Sequence, residues 1–76
     1  MTHALVDARR LLCPLPVIRL QEHAVQMQAG DTLEVLCTDR GCLHDVPAWC
    51  RMHGHDCAVT RNDGREYAFR IIIFNK

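Results

Sequence analysis

The sequence predicts an α+β fold: a two-layer α/β sandwich in the order βαβαββ, with a four-stranded mixed sheet and both helices packed on one face. Three observations predict it. Short strand-like runs alternate with two stretches of helical periodicity, an Asp-Gly pair separates the last two β-rich runs, and no repeat or linker interrupts the chain. Two helices cannot cover both faces of a four-stranded sheet, so the second face is expected to stay open to solvent or a partner. The 76 residues form one expected domain, 1–76, with room for a single modest core.

Leu5-Val6-Asp7-Ala8 reads as the first strand, and Arg9 to Leu12 as the connection to Cys13-Pro14-Leu15-Pro16. Proline fits the first helical turn, where its missing N–H has no intrahelical partner to lose. From there Val17, Leu20, Ala24 and Met27 recur at helical spacing, with Ile18 and Val25 widening the apolar stripe. Arg19, Gln21, Glu22, Gln26 and Gln28 fill the opposite side, and Gly30 is the expected C-terminal cap. Thr32 to Thr38 alternates, with Leu33, Val35 and Cys37 on one face. After the turn Asp39-Arg40-Gly41 comes a second helix, roughly Cys42 to His53, carrying Val46, Trp49, Cys50 and His53 on one stripe and stopped by Gly54. Pro47 predicts a late start for it, near His44 or Asp45. Cys57 to Arg61 and Glu66 to Phe74 read as a hairpin around Asn62-Asp63-Gly64-Arg65, with Tyr67, Phe69, Ile71 and Ile73 facing inward.

Lys plus Arg equals Asp plus Glu, and no basic stripe is present, which argues against direct, tight nucleic-acid binding. No stretch reaches the ~20 apolar residues of a membrane span, and the first ten residues lack the apolar run of a secretory signal. The expected compartment is therefore the reducing cytoplasm. There, five cysteines in so short a chain read as thiols, metal ligands or reactive groups, not as a disulfide scaffold.

Cys13 is the candidate reactive thiol. A cysteine just before a helix lies near the positive end of the macrodipole, which favours thiolate, and Arg9 and Arg10 upstream would add positive potential. Pro14 and Pro16 stiffen the turn and hold the sulfur at an edge. The blander reading is a small buried residue at a helix start, and the local residues leave both open.

Asp7 through Pro16, followed by Val17 and Ile18, resembles the signature Asp-x-Arg-Gly-Leu-x-Cys-Pro-x-Pro of the TusA/SirA (YhhP-like) family of small sulfur-carrier proteins. The likeness continues through Ala29-Gly30-Asp31-Thr32-Leu33, Thr38-Asp39, Asp45-Val46-Pro47-Ala48-Trp49-Cys50, Gly54-His55 and Asp63-Gly64, and covers essentially the whole chain in register. It implies that Cys13 accepts a sulfane sulfur as a persulfide and passes it on, with Arg9, Arg10, Pro14, Leu15 and Pro16 as the supporting motif positions. It also implies the same βαβαββ fold. The implied donor is a cysteine desulfurase or rhodanese-like enzyme, and the implied acceptor is another protein, in tRNA thiolation or in sulfur oxidation. Such a carrier needs no cofactor, no metal and no neighbouring histidine as a base, is expected to be a monomer, and does not turn over free substrate by itself. Exchange depends on thiolate fraction, nucleophilicity and access.

Two departures from the family pattern stand out, and the variable position of the motif adds a third observation. Arg10 stands where glycine is usual, so a positive-φ turn there would be strained. Arg40-Gly41 replaces the usual pair after the second strand. Leu15 occupies a position where many tRNA-thiolation members carry glutamate, which hints at different partners.

The other cysteines invite a second reading. Cys37, Cys42, Cys50 and His53, with His44, His55 and Cys57 nearby, have the density of a zinc site, so a small zinc-binding module is the alternative function. Against it, Cys37, Cys50 and Cys57 all fall on expected core faces. Cys42 is the most exposed of them by position, and Cys37 and Cys42 are candidate accessory thiols. A dithiol redox protein is disfavoured because the chain has no C-x-x-C pair. His3 and His23 read as solvated surface, Trp49 as a core anchor, and His55 as part of the helix ending.

Overall fold

The computed structural model describes residues 2–74. The expected domain limits extend to Met1, Asn75 and Lys76, which lie outside the described residues. The elements are β1 (His3–Ala8), α1 (Leu15–Ala24), β2 (Thr32–Cys37), α2 (Cys42–His53), β3 (Asp56–Asn62) and β4 (Tyr67–Ile72), the βαβαββ order expected. The sheet runs β1-β2-β4-β3. β1 and β2 are parallel, joined by the α1 crossover, while β4 is antiparallel to both β2 and β3. The parallel pair matters for everything that follows. It brings the loop after β1 and the loop after β2 to the same end of the sheet.

Alternation places Val6 and Ala8, Leu33, Val35 and Cys37, and Tyr67, Phe69 and Ile71 on one buried face. Val6, Val35 and Phe69 stand in one cross-strand row. Against this face pack Pro16, Leu20 and Ala24 of α1 and Cys42, Val46, Trp49 and Cys50 of α2. The Trp49 Nε1–H donates to Gln21 Oε1 at 3.3 Å, tying the two helices together. Trp49 is a core residue, as expected, and its ring lies 4.7 Å from that of His53 and 5.4 Å from that of His55. The second face carries Leu5, Ala58 and Arg70, all exposed.

Two expectations about element limits need correction. First, α1 ends at Ala24, well before Gly30. The buried Asp31 carboxylate accepts the Gln28 N–H at 2.8 Å and the Thr2 N–H at 2.9 Å, and Gly30, at φ 95°, donates to Ile73 O at 2.7 Å. These bonds draw the chain from the helix toward β2, and Val25 is left exposed instead of widening the stripe. Second, α2 begins at Cys42 despite Pro47. Its first N–H groups are satisfied from the turn, with Cys42 donating to Asp39 O and Asp45 to Gly41 O, so the proline removes one interior bond from a helix already started. On the edge strand, Val59 is half exposed, and a register shift follows it between Val59 and Arg61. Gly54, at φ 75°, ends α2 as expected, with His55 donating to Cys50 O at 2.9 Å.

Arg10 has φ 70°, the left-handed conformation that glycine adopts without strain. Its N–H donates to Thr38 Oγ1 at 2.8 Å, which holds the turn there. Arg10→Gly should therefore stabilise the fold by about 0.5–1 kcal/mol, the left-handed penalty relieved minus the extra chain entropy of glycine. A urea midpoint that rises at unchanged slope would bear this out, and a fall would refute it.

Candidate functional site

Cys13 lies in the loop between β1 and α1, two residues before the helix, with a cis peptide to Pro14. It is exposed, whereas Cys37, Cys42 and Cys50 are buried and Cys57 is partly so. The loop after β2 meets it. The Cys13 N–H donates to Asp39 Oδ2 at 2.6 Å, and Asp39 Oδ1 accepts the Gly41 N–H at 3.0 Å. One carboxylate thus fastens the sulfur-bearing loop to the start of α2. Gly41 lies against Cys13: a Cβ there would sit 3.5 Å from Cys13 Cβ and 3.8 Å from its Sγ, in ordinary van der Waals contact. The Cys13 thiol donates to Asp45 Oδ2, from the first turn of α2.

The electrostatics reverse the sequence expectation. Among the described residues, the charges that act on the sulfur are negative. The hydrogen bond to Asp45, then desolvation, then the charges of Asp45 and Asp39 push the Cys13 thiol up to about 11. Arg9 is turned elsewhere. Its guanidinium donates to Asp7 Oδ1 and Oδ2, each at 2.8 Å, and approaches Glu66 at 3.9 Å. That pairing holds the Asp7 carboxyl down at about 2. Arg9 and Arg10 share a hollow with Asp7, Thr38 and Glu66 that Cys13 does not line. The carboxylates of Asp45 and Asp39 act on the sulfur in the sense opposite to the positive end of α1.

Of the other motif positions, Pro16 is buried against the core, and Pro14 takes the N-cap place. Leu15 is exposed, as are Leu12 and Ile18, three apolar residues near Cys13 along the chain. Asp39 and Asp45 are the residues that sequence reasoning missed as part of the site.

Cys42 is buried, not exposed as its turn position suggested, and its sulfur is in hydrogen-bonding contact with that of Cys37. That contact, with burial adding to it, holds the Cys42 thiol above its usual range. Cys50 and Cys57 form a second such contact between α2 and β3, which raises Cys50 in the same way. Among the described residues no three His, Cys, Asp or Glu side chains are arranged to hold a metal.

Comparison with known proteins decides the family. The family model described as Sulfurtransferase TusA matches residues 4–73. The chain belongs to the TusA family. Within it, this chain is 46% identical, over the full length of both, to a Neisseria meningitidis serogroup A protein provisionally named a sulfur carrier. It is 34% identical to the sulfur carrier protein TusA of Pseudomonas putida F1, over 90% of this chain and 85% of that one. The crystal structure of a SirA-like protein from Desulfitobacterium hafniense superposes with a TM-score of 0.83 at 20% identity, covering 95% of this TusA-family chain and 99% of the other. The two share the fold. No helix among the described residues is long and apolar enough to cross a membrane.

Proposed function

We propose that this TusA-family chain, as one carrier domain over 1–76, takes a sulfane sulfur onto Cys13 as a persulfide and relays it to an acceptor protein. The observation that carries the reading is the accessibility of one sulfur. Cys13 is exposed in its Cys-Pro-Leu-Pro loop, while the other four thiols are buried or paired against one another. Family membership supplies the chemistry class, since relatives carry the name sulfur carrier. The donor is a protein persulfide of the cysteine desulfurase or rhodanese type. The acceptor serves tRNA thiolation or sulfur oxidation.

In the loading step Cys13 Sγ bonds to the outer sulfur of the donor persulfide, and the donor's S–S bond breaks. The proton leaving Cys13 is balanced by one taken up by the donor's departing thiolate. A thiol and a persulfide thereby become a persulfide and a thiol, with no net oxidation. Delivery is the same exchange in the opposite sense, with the acceptor as nucleophile. The exposed Leu12, Leu15 and Ile18, near Cys13 along the chain, give a docked protein apolar surface to cover.

Intact-mass analysis tests the proposal after incubation with a desulfurase and cysteine, or with a rhodanese and thiosulfate. The wild-type chain should gain the mass of one sulfur atom, and Cys13→Ala should gain none. Equal loading of Cys13→Ala would transfer the role to another cysteine and overturn the assignment.

A further inference from the structure

A carrier thiol is exposed to every small electrophile in its surroundings, and this one stands among negative charges. Asp45, from the first turn of α2, accepts the Cys13 S–H. Asp39, from the loop before that helix, is held against the Cys13 backbone. Cys42, at the start of α2, is a further titratable neighbour of the sulfur among the described residues, and it too disfavours the thiolate. A thiolate formed here would face both carboxylates at close range, in the geometry that favours the neutral form.

We propose that Asp45 is a proton latch on Cys13, holding the unloaded thiol protonated through its S–H hydrogen bond and so keeping the free carrier slow toward small electrophiles. The inference rests on the sulfur-carrier reading for its purpose, though not for its chemistry. A persulfide escapes the latch by geometry. Its anionic atom is the outer sulfur, one S–S bond of about 2 Å further from Asp45 and toward solvent. The same carboxylate therefore suppresses the empty sulfur more strongly than the loaded one. A donor protein that loads the thiol has to offset the Asp45 charge, which a lysine or arginine beside its own persulfide would do.

The latch has a direct readout in alkylation by iodoacetamide, followed against pH for the wild type, Asp45→Asn and Asp45→Glu. The wild-type thiol should titrate well above the ordinary range, consistent with its position at about 11. Asp45→Asn removes the charge and keeps the shape, so its midpoint should fall toward about 8.5–9. At pH 8 that raises the thiolate fraction roughly 100-fold. The lower intrinsic nucleophilicity of the more acidic thiol takes back about half of this on a logarithmic scale, which leaves alkylation about 10-fold faster. Asp45→Glu should retain a raised midpoint. A general loosening of the structure would not separate the two variants in this way, and circular dichroism of both checks the fold.

Sulfur uptake from glutathione persulfide, read by intact mass, provides the second arm and should accelerate in Asp45→Asn. An Asp45→Asn midpoint equal to or above the wild type's overturns the latch, as does a wild-type thiol that titrates in the ordinary range. If alkylation responds as expected but neither protein takes up sulfur from any donor, the latch stands and the carrier reading falls.

Discussion

Phe69→Ala is expected to remove a large share of the fold's stability. Phe69 is fully buried at the centre of the inward face, in register with Val35 of β2 on one side and Val59 of β3 on the other. Truncating a buried phenylalanine to alanine costs about 3–5 kcal/mol, the lost transfer energy plus the cavity left behind. A domain of this size holds only roughly 4–11 kcal/mol in total, at about 0.05–0.15 kcal/mol per residue. The loss therefore consumes much of the margin, and no disulfide is present to limit it. Urea unfolding should show the midpoint falling by about half or more, with sulfur loading lost as the sheet goes. Phe69→Leu, which keeps most of the volume, should cost under about 1.5 kcal/mol and leave the site working. Comparable midpoints for Phe69→Ala and wild type would mean that the core is not centred here.

That core was legible in the sequence because burial on one face of a sheet leaves a period-two signature. Leu33, Val35, Phe69 and Ile71 stand out by alternation alone. The limits of the elements were less legible, and for physical reasons. Nothing local in Gln26 to Gly30 announces that the Asp31 carboxylate captures Gln28 and Thr2, because the Thr2 partner is brought in by the sheet. Pro47 predicted a late start for α2 on its own preference, yet the turn at Asp39 to Gly41 had already satisfied the first amides of the helix.

The site divides along the same line. Cys13 could be singled out from its tetrapeptide and the family resemblance. Its electrostatic setting could not, since Asp39 and Asp45 lie 26 and 32 residues away along the chain. Arg9 and Arg10 were the nearest charges in sequence and so the natural candidates, but Arg9 pairs with Asp7 two residues back. The retrievable signal was topological. A parallel β1–β2 pair puts the loops that follow both strands at one end of the sheet, so acidic residues after β2 were the groups to test against Cys13.

Asp39 provides the sharpest test of that convergence. Its two carboxylate oxygens accept one N–H from the sulfur loop and one from the start of α2, so a single side chain ties the Cys13 loop to the helix that carries Asp45. Asp39→Ala should free the Cys13 amide, whose hydrogen exchange is expected to accelerate about 10-fold or more while core amides keep their protection. Loading by a protein donor should fall on the order of 10–100-fold, since a displacement of about 1 Å in a reacting atom has effects of that size. The pH dependence has a definite sign. The bonds from the Cys13 and Gly41 amides hold the Asp39 carboxyl below its usual range. A depressed folded value means that the tie contributes fully above the ordinary carboxylate range and is lost as pH falls through that lowered value. Protection of the Cys13 amide should follow the same course in the wild type and be flat with pH in Asp39→Ala. A Cys13 amide equally protected in both proteins would show that Pro14 and Pro16 alone hold the sulfur in place, and that Asp39 is a bystander.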